Sequence, residues 1–168
     1  PEIIDIGTGS GCIGITLAKE IPSSSVIAFD CSEKALVVAE KNAKNIGTKN
    51  IDFVKSDFLK QTIDLRADLL VSNPPYIPKE DISNLMADVK EYEPSKALTD
   101  NLDGLEFYRV FSKKFDPMIK IDGALVVEVG KDKHPLKAKK IFEKSGQLNV
   151  EMINDYNGDI RVLKVMKC

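Results

Sequence analysis

The chain is poor in the residues that build metal sites and disulfide scaffolds: it holds one histidine, His134, and three cysteines, Cys12, Cys31 and Cys168. Cysteines without paired spacing exclude a disulfide framework and fit a reducing, cytoplasmic setting, while one histidine with scattered cysteines leaves too few ligands for a zinc site. Arginine is scarce too, with Arg66, Arg109 and Arg161 among 24 basic residues. Arginine is the usual reader of bases and phosphates, and the formal net charge is −2, so the balance weighs against nucleic acid as a direct partner. No run approaches the roughly 20 apolar residues of a membrane span, and no signal-peptide pattern opens the sequence. An initiator methionine is also missing: the sequence begins at Pro1, already against the apolar run of residues 3–6, and reads as part of something longer.

What is present is regular alternation. Residues 3–6 form a buried strand pattern, a glycine-rich loop follows, and Ile13, Leu17, Ala18 and Ile21 repeat at helical spacing up to Pro22. Residues 26–29 make a second strand closing on Asp30, Ser32 caps a helix that Gly47 stops, and Ala35, Ala39 and Ala43 line it with small side chains. Further strands are expected at 51–55, 68–71 and 124–129, with Gly123 leading into the last. Leu105, Tyr108, Phe111, Phe115 and Met118 mark a helix of ordinary core type, and another is expected over 132–145. The end reads as a hairpin, 148–153 and 160–166, turning at Asn157 and Gly158. The expectation is one α/β domain over residues 1–168. Its sheet is doubly wound and mostly parallel, with an antiparallel hairpin at the C-terminus. Residues 77–103 lack periodicity, and so long a connection is usually a lid or binding loop.

The loop Gly7-Thr8-Gly9-Ser10-Gly11 falls between strand and helix, where backbone approaches a ligand closely and positive φ is needed. Asp30, at the end of the next strand, is set to accept hydrogen bonds from ribose hydroxyls. Gly9 through Gly14 formally match the dinucleotide fingerprint G-x-G-x-x-G, whereas Asp5 through Gly11 match more completely the nucleoside loop of S-adenosylmethionine-dependent methyltransferases. The loop alone does not separate the two.

Asn73-Pro74-Pro75-Tyr76 ends the fourth strand, across the switch point from that loop. The two prolines stiffen the turn. They hold an amide oxygen, the Pro74 carbonyl and an aromatic face beside one point. Two acceptors and a stacking plane suit a planar substrate bearing NH₂, with its nitrogen lone pair left facing outward.

On these residues the chain resembles the class I methyltransferases of planar nitrogens, and within them the PrmC/HemK family of peptide-chain release factor glutamine N5-methyltransferases. The likeness continues through Ser56-Asp57-Phe58, Tyr92-Glu93-Pro94, Asp103-Gly104-Leu105 and Asp159-Ile160-Arg161-Val162. It implies a Rossmann-like sheet of about seven strands in the doubly wound manner. It also implies S-adenosylmethionine as cofactor, S-adenosylhomocysteine as product and a release factor as protein substrate. Gly7, Thr8, Gly9, Ser10 and Gly11 would meet the methionine part of the cofactor, Asp30 its ribose, and Asp57 with Phe58 its adenine. Asn73, Pro74, Pro75 and Tyr76 would hold the glutamine amide, with Asn73 bordering the cofactor as well. Thr99-Asp100-Asn101-Leu102 stands where the family carries a Gly-Gly-rich stretch, and the family's N-terminal helical docking domain is absent from the sequence. Two other functions share these features. Methylation of an exocyclic amine of adenine or guanine would use the same turn, and a nicotinamide-dependent dehydrogenase the same loop, though it would lack a proton donor.

Several patterns imitate other sites. Tyr92 and Lys96 copy a dehydrogenase dyad, but Pro94 lies between them. Asp155, Asn157 and Asp159 begin like a calcium loop, yet Gly158 is misplaced and Met166 occupies the twelfth position. Glu91 and Glu93 suit a salt bridge or cap. His134 is expected to be a solvated helix-start residue, and Cys12 and Cys31 small packing residues.

Overall fold

The computed structural model describes residues 1–84, 95–146 and 148–168. The strands are β1 (Glu2–Ile6), β2 (Ser25–Asp30), β3 (Ile51–Lys55), β4 (Ala67–Ser72), β5 (Ile119–Glu128), β6 (Leu148–Asn154) and β7 (Ile160–Lys167). They form one seven-stranded sheet in the order β3-β2-β1-β4-β5-β7-β6. Helices α1 (Cys12–Glu20), α2 (Glu33–Ile46), α3 (Glu106–Met118) and α4 (His134–Lys144) connect them, with a 3₁₀ stretch at Lys79–Asn84 and a single helical turn at Ser95–Leu98. Among the described residues no helix is long and apolar enough to cross a membrane. The chain divides into two compact units, one of Pro1–Asn73, Phe115–Val126 and Lys167, the other of Pro74–Lys114, Val127–Met166 and Cys168.

In the first unit β1 pairs in parallel with β2 on one side and β4 on the other, and β2 pairs in parallel with β3. Both faces of β1 are covered, so Ile3, Ile4, Asp5 and Ile6 are all buried and the strand reads as a continuous apolar run rather than an alternation. Ile3, Ala18 and Val26 anchor one core cluster, with Leu17, Ile21, Ile51 and Leu69 packed on it. The Ser32 hydroxyl caps α2 by accepting the Ala35 N–H at 3.3 Å, and Gly47 ends the helix in the left-handed region at φ 81°. The small-residue stripe is only partly a packing face. Ala39 and Ala43 are buried together with Leu36, while Ala35 is half-buried.

Gly123 departs from expectation. It lies inside β5, which starts at Ile119, rather than ahead of the strand. A Cβ there would stand 2.8 Å from Ile119 Cγ2 and 2.9 and 3.0 Å from the carbonyl oxygens of Ala67 and Asp68. The glycine therefore permits close approach of the β4 backbone and does not end the strand.

The second unit has its own core, in which Tyr108 and Phe111 of α3 and Phe142 of α4 are buried along with Val129 and Leu163. β6 and β7 form the expected hairpin. Asp155 N–H donates to Asp159 O at 2.8 Å, and the Asp155 carboxylate accepts the N–H groups of Asn157 and Asp159, so the calcium-like pattern is a turn cap. The segment lacking the glycine pair is ordered differently. Asn101 takes the left-handed conformation at φ 64°, and the Asp100 carboxylate accepts N–H bonds from Leu102, Gly104 and Glu106. Asparagine is among the residues that adopt this region most readily after glycine.

Gly123→Ala should destabilise the protein by about 1–3 kcal/mol, as for other overpacked interiors, because rigid backbone faces the added methyl. Urea denaturation of the variant beside the parent measures this.

Candidate functional site

The winding of the chain reverses at β1: it moves outward through β2 and β3, then returns to the opposite side as β4. In open α/β sheets ligands collect at such a switch point, outside the carboxyl ends of the strands. Ile6 stands in register with Ser72, whose hydroxyl donates to the Ile6 carbonyl at 2.7 Å. The glycine loop and Asn73 thus leave the sheet from neighbouring strand ends.

The loop is organised around Asp5, one of the most deeply buried polar residues at 1% exposure. Its Oδ2 accepts the Thr8 hydroxyl at 2.7 Å and the Gly14 N–H at 2.9 Å, tying the loop and the first turn of α1 to the end of β1. Its Oδ1 is buried without a partner among the described residues. Burial pushes the Asp5 carboxyl up from its ordinary range, against the two hydrogen bonds that pull it down. Gly14 makes the contact possible, since a Cβ there would lie 2.9 Å from Asp5 Oδ2. Gly7 and Gly9 take positive φ, 72° and 58°, and nothing lies within 4 Å of where a Cβ would project.

Asp30 ends β2 half-buried. Its two oxygens accept the Gly9 N–H at 2.9 Å and the Ser32 N–H at 2.8 Å. A carboxylate offers about four lone-pair positions, so capacity for further donors remains. Ser56 N–H donates to the Asp30 carbonyl at 2.9 Å, which brings the end of β3 beside it. Asp57 follows, its carboxylate held below the usual range by a 2.8 Å bond to the exposed Lys60. Phe58 is buried at 4% exposure, so its ring belongs to the core. Gly7, Thr8, Gly9, Ser10, Gly11, Asp30, Asp57, Phe58 and Asn73 all fall within the first unit. Asn73 is exposed, and its side chain makes no hydrogen bond among the described residues.

In the second unit Tyr76 is half-buried and held on several sides. Its hydroxyl donates to Glu128 Oε1 at 3.1 Å and accepts from Arg161 Nη2 at 3.0 Å, and Arg161 Nη2 also meets Glu128 Oε1 at 2.7 Å. Burial, then the Glu128 charge, push the Tyr76 phenol up. From the sequence Tyr76 stands out only as an aromatic face, and nothing there gives Glu128, Arg161 or Asp5 an individual role. The available signals were an arginine in a chain with few of them and carboxylates closing the apolar runs of β1 and β5.

Two expectations are corrected. His134 begins α4 as foreseen, but it is not solvated. It is half-buried, its Nδ1 accepts the Gly130 N–H at 3.2 Å, its Nε2 therefore donates to Gly104 O at 3.0 Å, and its ring packs edge-on against Tyr108. Cys12 and Cys31 are exposed rather than packed. The Tyr92-Glu93-Pro94 motif and Glu91 lie outside the described residues.

A family model described as "Methyltransferase small domain" matches residues 1–91. The chain is 41% identical over 168 residues to a release factor glutamine methyltransferase of Fusobacterium nucleatum, covering 99% of this chain and 47% of that protein. It is 40% identical over 164 residues to a release factor glutamine methyltransferase of Bacillus subtilis, covering 96% and 57%. The chain thus spans about half the length of the curated relatives it matches. Among solved structures, a ribosomal protein L11 methylase of Lactobacillus delbrueckii aligns with a TM-score of 0.69 at 20% identity, covering 99% of this chain and 69% of that one. TrmN of Thermus thermophilus aligns at 0.68 and 19%, covering 99% and 44%. These structural likenesses bear on the fold.

Burial lowers the His134 pKa below its ordinary 6.5, so the folded state holds the imidazole neutral. The unfolded chain binds this proton first as pH falls. The His134 contribution to stability is therefore complete above about pH 6.5 and declines as pH drops through the lower folded value. Denaturation midpoints should fall more steeply below pH 6.5 for the parent than for His134→Gln, measured across a pH series.

Proposed function

Because the chain belongs to the methyltransferase small domain family, we propose that it methylates the side-chain amide nitrogen of a glutamine in a peptide-chain release factor, with S-adenosylmethionine as methyl donor. The observation that carries this reading is the exposed Asn73 carboxamide just past β4, without a hydrogen bond among the described residues, one strand from the glycine loop after β1 and two from the ribose-type carboxylate that ends β2. The names of the relatives point to the same acceptor.

The residues of the first unit fit a nucleoside cofactor of this kind. The loop leaves open space where side chains would project at Gly7 and Gly9, Asp30 retains acceptor capacity, and Asp5 holds a buried carboxylate oxygen without a partner among the described residues. Gly7, Thr8, Gly9, Ser10 and Gly11 would hold the methionine part, Asp30 the ribose hydroxyls, and Asp57 the adenine, with the buried Phe58 backing that pocket from the core. When bound, the cofactor supplies a methyl group activated on a sulfonium.

The difficulty in such a reaction lies in the nucleophile, because an amide nitrogen delocalises its lone pair into the carbonyl. Asn73 Oδ1 and the Pro74 carbonyl would each accept one N–H of the glutamine amide. Paired acceptors raise electron density on nitrogen and favour its pyramidalisation. They also fix the amide so that the lone pair faces outward. This is stabilisation by preorganised dipoles together with positioning, and it needs no strong general base. The Tyr76 ring would stack on the amide plane.

Mass spectrometry of release factor after incubation with the protein and S-adenosylmethionine tests the assignment; a glutamine heavier by one CH₂ supports it, and an unmodified glutamine refutes it. Asp30→Ala should weaken cofactor binding by about 1–3 kcal/mol, the range for charged hydrogen bonds at a part-buried site, as read by calorimetry. Asn73→Ala should reduce single-turnover methyl transfer by about 10²–10³ at saturating cofactor, while changing cofactor affinity far less. Asn73→Asp should lose less, because a carboxylate still accepts the N–H bond.

A further inference from the structure

Tyr76 is immobilised at each of its ends by groups that have no part in the reaction as described so far. The hydroxyl closes a triangle with Glu128 Oε1 and Arg161 Nη2, whose sides measure 3.1, 3.0 and 2.7 Å. The Arg161 guanidinium carbon stands 5.6 Å from the ring centroid, within cation–π range. Gly104 abuts the carbonyl, where an added Cβ would lie 2.2 Å from Tyr76 O. Gly130 abuts the ring, where an added Cβ would lie 3.2 Å from Tyr76 Cδ2. Glu128 ends β5 and Arg161 lies on β7, and a backbone bond of 2.9 Å from Val129 N–H to Arg161 O fixes the strand pair that carries them.

Stability alone is a poor reason for this arrangement. The Glu128 and Arg161 side chains are 31% and 20% exposed, and the desolvation of a part-buried ion pair offsets most of its Coulombic gain. A phenol at a turn would also lose little by facing water. Orientation is what the triangle provides. Its geometry commits the phenol proton to Glu128, which leaves the hydroxyl unable to act as base or donor and makes the ring the part of Tyr76 that meets a substrate.

We propose that Glu128 and Arg161 are positioning residues for amide methylation: by clamping the Tyr76 hydroxyl they set the tilt of the Tyr76 ring and, through the stiff Pro74-Pro75 link, the direction of the Pro74 carbonyl. This rests on the function proposed above. The two residues act through Tyr76 and do not touch the reacting atoms. Arg161 reaches both acceptors from one nitrogen, Nη2, while its planar guanidinium lies over the Tyr76 ring; a lysine ammonium would supply only a point charge.

The test is a double-mutant cycle on the full chain with Tyr76→Phe and Arg161→Met, accompanied by Arg161→Lys and Glu128→Gln. Single-turnover methyl transfer to a glutamine peptide, KM for that peptide and calorimetric cofactor affinity are measured for each. Tyr76→Phe, Arg161→Met and Glu128→Gln should each lower the transfer rate by about 10- to 100-fold, the scale for a misplaced reacting group, with cofactor affinity within about twofold. The Tyr76→Phe/Arg161→Met double variant should be no slower than the slower single, since both remove the same clamp, and Arg161→Lys should recover part of the rate. Multiplicative effects in the double variant would overturn the proposal. So would unchanged rates, or losses that merely track the folded fraction seen by circular dichroism. If Arg161→Met does not fold, Glu128→Gln and Arg161→Lys decide by the same criteria. A parent protein that binds S-adenosylmethionine but methylates no glutamine refutes the functional reading itself, whereas an active parent with insensitive variants refutes only the clamp.

Discussion

Burying the Asp5 carboxylate at the end of β1 is the constraint on which the glycine loop depends. An ionised group in that position carries a desolvation cost, and the fold offsets part of it with the Thr8 hydroxyl and the Gly14 N–H. Those two bonds fold the loop back over the strand end and bring α1 so close that position 14 has no room for a side chain. Asp30 then completes the loop from the neighbouring strand by accepting the Gly9 N–H. Two carboxylates on adjacent strands thus shape a glycine-rich backbone, and preorganisation of this kind would lower the entropic cost of holding the proposed nucleoside cofactor.

Tyr76 follows the same logic in the second unit with different means. Its hydroxyl is tied to an ion pair, its carbonyl passes against Gly104, and His134 bridges Gly104 and Gly130 through its two nitrogens. Tyr108 adds a further bond, its hydroxyl donating to the Glu128 carbonyl at 2.7 Å. A ring supported on so many sides can present a face without adjustment, which would matter for the proposed reaction, whose main demand is alignment of a weak nucleophile.

The outline of the fold was legible because strand and helix periodicities are local. Buried runs at β1, β2 and β4, the Ser32 cap and Gly47 stop of α2, and the Asn157-Gly158 turn all announced themselves at short range. What misled was context. Gly123 looks like a breaker until the β4 carbonyls beside it are seen, and His134 looks solvated because its sequence neighbours are polar while its spatial neighbours are Tyr76 and Tyr108. The departure at Thr99-Asp100-Asn101-Leu102 turned out to be compensated locally, with an asparagine in a glycine conformation and one aspartate capping three backbone donors.

The sequence by itself determined the α/β alternation, the glycine loop between strand and helix, the carboxylate that follows it, and the stiff proline turn after Asn73. Each depends on residue type and spacing along the chain, which backbone sterics and hydrophobic periodicity translate directly. Only the tertiary structure decided that β4 lies next to β1, that Asp5 is the hub of the loop, and that Glu128 and Arg161 converge on a tyrosine 52 and 85 residues away from them in sequence. The physical reason is that charge pairing and close backbone approach act through space: strand order and register, which no local pattern encodes, set which distant side chains meet.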